Sequence, residues 1–153
     1  MGEMTQSFDL VFVDDQFLER SQQGAIWGRV CFKIGDQFFP DRDWTDLVAG
    51  FLTTWLDALT RIATGTAAER RVWFMDGPFA IDISAHNHGD VRMKFLHKEI
   101  QTYLVDTNVK DLLRNGLEVG NQLIASCKQR GWTDKDVSDL SQAIKQGIEV
   151  FQA

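Results

Sequence analysis

The chain has two cysteines, Cys31 and Cys127, and they are far apart. Without C-x-x-C spacing they define neither a zinc site nor a redox motif, and each reads as a small buried hydrophobe. Apolar runs are short: none approaches the ~18 residues of a membrane-spanning helix. Met1 to Gln6 carries neither a basic region nor an apolar signal core. The expectation is therefore a cytoplasmic protein with no membrane partner.

Nucleophile motifs are missing as well. There is no Gly-x-Ser-x-Gly and no glycine loop of the kind that cradles phosphate. No repeat, linker or low-complexity segment interrupts the 153 residues, which suit a single domain over 1–153 able to bury a core without disulfides or metals. Positive charge is in deficit: 16 Lys and Arg stand against 22 Asp and Glu, a net charge of −6. Residues 1–68 hold ten acids and five bases, and the remainder is nearly balanced. A surface of that sign repels nucleic-acid phosphates and steers a basic partner toward it.

What the chain does have is period. Trp44, Leu47, Val48, Phe51, Leu52, Trp55, Leu56, Leu59 and Ile62 fall on one face of a 3.6-residue repeat and predict the main helix. Asp41 or Asp43 is placed to cap it, with Asp46 in its first turn and Gly65 just past its end. Before it, Ser7 to Val13 and Ala25 to Ile34 alternate as strands, and Gly35-Asp36 turns into a short strand that Pro40 stops. Asp14 to Gly24 reads as a loop or short helical turn anchored by Phe17 and Leu18.

After the helix come the strands Glu69 to Met75, Phe79 to Ser84 and Val91 to His97, antiparallel by their short connections, and Glu99 to Val105 reads either as the last strand of this meander or as a helix. Two helices close the chain. The first carries Gly116 and Gly120 on its apolar stripe and ends at Gly131; the second opens at Thr133-Asp134-Lys135-Asp136. The order βββ–α–ββββ–αα implies an α+β domain, an antiparallel sheet of six to seven strands with three helices.

Two constellations offer chemistry. His86-x-His88-x-Asp90 has metal-ligand residue types at short spacing and supports the alternative reading of a small metal-dependent hydrolase. His97, at the far end of an extended strand about 20 Å long, cannot complete that set, and a solvated hairpin turn accounts for the string without metal. No metal or cofactor is expected. The second constellation is the acids around the main helix, of which Asp36, Asp41 and Asp43 join Trp27 as contact candidates for a protein partner. The basic residues Arg70, Arg71, Arg92, Lys94 and Lys98 are set to share a sheet face with Trp73, in a segment of no net charge, too little for a nucleic-acid platform.

The pattern Gly35-Asp36-x-x-Phe39-Pro40-x-x-x-Trp44-x-Asp46, then Trp55-Leu56, then Phe74-Met75-Asp76-Gly77-Pro78, resembles small bacterial proteins of the immunity type found in polymorphic-toxin and contact-dependent inhibition systems. The resemblance spans residues 25–85. It implies a non-catalytic antitoxin that binds a cognate toxin domain, and the acidic surface fits a basic one.

Overall fold

The computed structural model describes residues 8–13 and 17–153. Five strands precede the first helix: β1 (Phe8–Val13), β2 (Glu19–Arg20), β3 (Ile26–Ile34), β4 (Gln37–Phe39) and β5 (Thr45–Asp46). Then come α1 (Val48–Ala63), the strands β6 (Glu69–Trp73), β7 (Phe79–Ala85), β8 (Asp90–His97) and β9 (Ile100–Asn108), and the helices α2 (Val109–Gln129) and α3 (Lys135–Gln152). The α+β class and the three helices follow the sequence pattern. The strands instead number nine among the described residues, in two antiparallel sheets of five and four rather than one of six or seven. β2 and β5 account for the excess: two residues each are too few to leave an alternating signature, and both exist only by pairing with β3.

β3 organises the first sheet. It pairs with β1 over its last six residues, with β4 through the hairpin at Gly35, and with β2 and β5 near its start. Gly35 has φ +58, the left-handed geometry that a tight turn demands and a side chain disfavours. The free edge of β1 is not left bare: the Leu10 N–H donates to Oδ1 of Asn115 on α2 at 2.8 Å. In the second sheet β6, β7, β8 and β9 follow one another as a meander.

Alternation gives each sheet one apolar face. Phe32 on β3 is the meeting point, with ring centroids 5.0 Å from Trp55, 5.6 Å from Phe95 and 6.0 Å from both Phe51 and Phe74. Edge-to-face geometry dominates, as the ring quadrupole favours. α1 is buried on nearly every side, since both sheets and the other two helices pack on it. Gly116 and Gly120 are explained by that crowding with neighbouring side chains: a Cβ would lie 3.0 Å from Leu56 Cδ2 at Gly116 and 3.1 Å from Ile144 Cδ1 at Gly120.

The start of α1 departs from expectation. Its helix begins at Val48 with Leu47 at the N-cap and no capping side chain, so Trp44 lies outside it and neither Asp41 nor Asp43 caps it. Asp46, expected in the first turn of the helix, lies instead in β5 and is 0% exposed. Its carboxylate accepts from the Trp44 indole N–H at 2.9 Å, Leu47 N at 2.6 Å, Met75 N at 3.0 Å and Asp76 N at 3.3 Å. Burying a carboxylate is tolerated when its lone pairs are filled in this way. At the other end Thr64 and Gly65 (φ +77) close α1 as the sequence indicates. Asp134 occupies the N-cap of α3 but caps nothing with its side chain, which is held instead by Arg20 at 2.6 and 2.8 Å.

Candidate functional site

The outer face of the first sheet is built by the odd positions of β3. Ile26, Gly28, Val30, Phe32 and Ile34 point into the core, so Trp27, Arg29, Cys31 and Lys33 point the other way. The 40–44 loop folds back over the middle of that row. Loop closure is anchored from below, because Val30 N donates to Trp44 O at 3.0 Å and β5 pairs Thr45 with Arg29. The Cys31 thiol lies beneath the loop, 3.8 Å from the Arg42 carbonyl. Burial, and then the negative charges of Asp41 and Asp43, push its pKa up to about 11. Such a thiol stays protonated near neutral pH and is no nucleophile.

Around this row the side chains interlock. The Arg29 guanidinium lies 3.4 Å from the centroid of the exposed Phe17 ring and 3.5 Å from Asp43. Arg42 sits over Phe38 at 5.6 Å, and its backbone N–H is taken by the Asp41 carboxylate at 2.6 Å. A cation held between an aromatic face and a carboxylate keeps a fixed pose, so the surrounding acids and rings form a preorganised surface.

Of the four contact candidates, this face gathers three. Asp41 and Asp43 lie on the loop over Cys31 and Arg29, and the half-buried Trp27 follows two residues before Arg29 on the same side. Asp36 is on the β3–β4 turn, past Ile34 at the opposite end of β3, which strand rise places about 23 Å from Trp27. It shares the sheet with the others without sharing their cluster. Arg29, Phe38 and Arg42, which the sequence reading does not offer as contacts, belong to the surface too, as does Phe17, read from the sequence as an anchor but 38% exposed. The period-2 alternation carried the signal for Arg29, since it places that residue on Trp27's side.

The histidine string is spread open. His86, His88 and Asp90 are all exposed around a 3-10 turn (Asn87–Gly89), in which His88 takes φ +61. Among the described residues no group of three or more His, Cys, Asp or Glu side chains is arranged to hold a metal ion. His97 is stacked on Phe79 at 4.4 Å, away from that turn. On the outer face of the second sheet Arg71, Arg92 and Lys94 do join Trp73, whereas Arg70 points to the other side and Lys98 lies in a turn. Arg71 is taken up by Asp82 at 2.6 Å and Glu99 at 2.9 Å, which raise its pKa, and Arg92 by Asp106 at 2.7 Å. These pairs cancel most of the positive charge there.

Phe39, Trp44, Asp46, Phe74 and Gly77 converge on one corner of the fold. Trp44 packs on Phe79 at 5.0 Å, Phe39 on Phe74 at 5.9 Å, and a Cβ on Gly77 would meet Trp44 Cη2 at 2.8 Å. Asp46 ties that corner to the 75–76 turn. Their work in this chain is structural, fixing the loop that bears Asp41 and Asp43. No helix among the described residues is long and apolar enough to cross a membrane. Comparison of the chain with protein-family models, curated proteins and solved structures finds no match.

Proposed function

We propose that the protein is a non-catalytic binding module acting in the cytoplasm, an immunity protein that neutralises a basic toxin domain through the outer face of its first sheet. The observation that carries this reading is the Phe17–Arg29–Asp43 stack beside Trp27 and Asp41: exposed aromatic surface held in a fixed pose and flanked by two exposed carboxylates. Rigid aromatic anchors supply slow dissociation, and the net charge of −6 on the whole chain supplies fast capture of a basic surface.

The experiment is a calorimetric titration of the purified chain with the toxin domain encoded immediately upstream of its gene. Binding tighter than about 1 μM is expected, a standard free energy beyond about −8 kcal/mol. Heat indistinguishable from dilution at micromolar concentrations would refute the reading. Trp27→Ala should weaken the complex chiefly by raising the dissociation rate, since a truncated anchor leaves its pocket on the partner unfilled.

A further inference from the structure

The geometry points to a second use of the surface: β9 is a pairing edge, and we propose that two copies of this chain join there, antiparallel about a two-fold axis at Leu104, into one eight-stranded sheet. β9 is the outermost strand of the second sheet and runs for nine residues, Ile100–Asn108. Beyond its ladder with β8, its residues Ile100–Asp106 take no backbone hydrogen bond from any other described element. An unpaired edge of this length is a template for another strand unless it is blunted.

The usual protections are sparse. β9 has no proline and no lysine, and its one irregularity is a register shift near its start, opposite Phe95 and Leu96; from Tyr103 to Asn108 the ladder is regular. Apolar side chains stand exposed along it, Ile100 at 69% and Leu104 at 42%. By contrast β6, the other edge of the same sheet, carries Glu69, Arg70 and Arg71 in five residues. The edge of β1 is occupied by Asn115.

Charge and register select a second copy as the occupant. The strand holds one charge, Asp106, already engaged by Arg92 at 2.7 Å, so it offers a foreign basic or acidic segment nothing to recognise. Antiparallel self-pairing about Leu104 sets Leu104 opposite itself, Tyr103 opposite Val105 and Asp106 opposite Thr102. No like charges face each other, and an aromatic residue meets a β-branched one, which is the favourable cross-strand arrangement. Centring the axis on Asp106 would oppose the two aspartates. The net charge of −6 on each copy works against association at low salt, and a Debye length of about 8 Å at physiological ionic strength screens it. This interface is separate from the outer face of the first sheet, so self-association and partner binding are read independently.

The test is sedimentation equilibrium of the whole chain at physiological salt. A single-strand edge is smaller than the standard interface of about 1,600 Å², so the dissociation constant should fall between about 1 μM and 1 mM. The weight-average mass should rise from 17.4 kDa toward twice that value across this range. Leu104→Lys should abolish the rise while leaving the circular dichroism unchanged, because the side chain is exposed. Leu104→Cys should form an intermolecular disulfide with diamide as oxidant, and Thr102→Cys should not, since only position 104 faces itself; Cys31 and Cys127 are buried and do not compete. A mass constant at 17.4 kDa up to 1 mM, undiminished association of Leu104→Lys, or equal cross-linking of the two cysteine variants overturns the proposal.

Discussion

Replacing Asp46 should cost more stability than any other single polar substitution in the described chain. Its carboxylate is fully buried and every neighbour it bonds is a donor: the Trp44 indole N–H and the backbone N–H groups of Leu47, Met75 and Asp76. In Asp46→Ala all of these lose their acceptor. Met75 and Asp76 lie on an exposed turn and regain water. Leu47 N and the indole N–H sit in half-buried residues and do so incompletely. Counting about 1.5–3 kcal/mol for each of those two, the loss is about 3–6 kcal/mol. Typical domain stability is about 5–15 kcal/mol, so the variant should fold but with a narrow margin. Asp46→Asn distinguishes this account from one based on volume. The amide is isosteric, yet whichever way it turns its NH2 group meets an N–H, so it should recover little of the loss. The assay is urea unfolding followed by tryptophan fluorescence and far-UV circular dichroism, with the slope m compared among variants to confirm that the same surface is exposed. Both variants within about 1 kcal/mol of the parent, the net worth of one ordinary hydrogen bond, would refute the reasoning.

Gly77→Ala should destabilise by about 1–3 kcal/mol through overpacking, because its Cβ would lie 2.8 Å from the Trp44 ring; equilibrium unfolding checks it. Alkaline pH should weaken the fold. Burial raises the Cys31 and Cys127 thiols from 9.0 to about 11, so the unfolded chain releases these protons first, and stability that is complete below about pH 9 should fall as pH rises through 9 to 11, by about 2 kcal/mol per thiol; chemical unfolding at pH 7, 9 and 10.5 measures it, and Cys31→Ala should remove part of the slope. Arg20→Ala should loosen the β2 segment from α3 by removing the bidentate pair with Asp134, seen as faster amide exchange over residues 19–25 with little change in global stability.

The parts of this fold that were legible in the sequence are those whose own periodicity is long enough to decide them. The α1 stripe from Val48 to Ile62, the alternation of β3, the meander from Glu69 onward and the closing glycines at 65 and 131 are all of this kind. The misread parts are set by partners distant in sequence. Trp44 falls on the helical stripe by spacing and Asp46 in the first turn it would open, yet Asp46 is claimed by N–H groups of residues 75 and 76, and only the folded corner makes a buried carboxylate stable. β2 and β5 have no local signal at all, because two residues acquire strand geometry only from β3. The candidate surface was half legible for the same reason. Trp27 and the acids stand out by composition, whereas the stack of Phe17 on Arg29 is a contact between residues twelve apart that no local period announces. Asp36 was grouped with Asp41 and Asp43 by nearness in sequence, and the length of β3 carries it away from Trp27.

The proposal that this acidic chain captures a basic partner with the help of Asp41 and Asp43 is tested most directly by the rate of association between the chain and a toxin domain encoded upstream of its gene, measured by stopped-flow fluorescence as salt is raised. For the parent, electrostatic steering predicts a rate constant well above the unsteered ~10⁵–10⁶ M⁻¹s⁻¹ at low salt and a steep fall with ionic strength. The double variant Asp41→Lys, Asp43→Lys, altered at two exposed positions that leave the core untouched, should associate slowly at low salt and show a flattened salt dependence. Identical rates and identical salt dependence for parent and double variant would contradict the account.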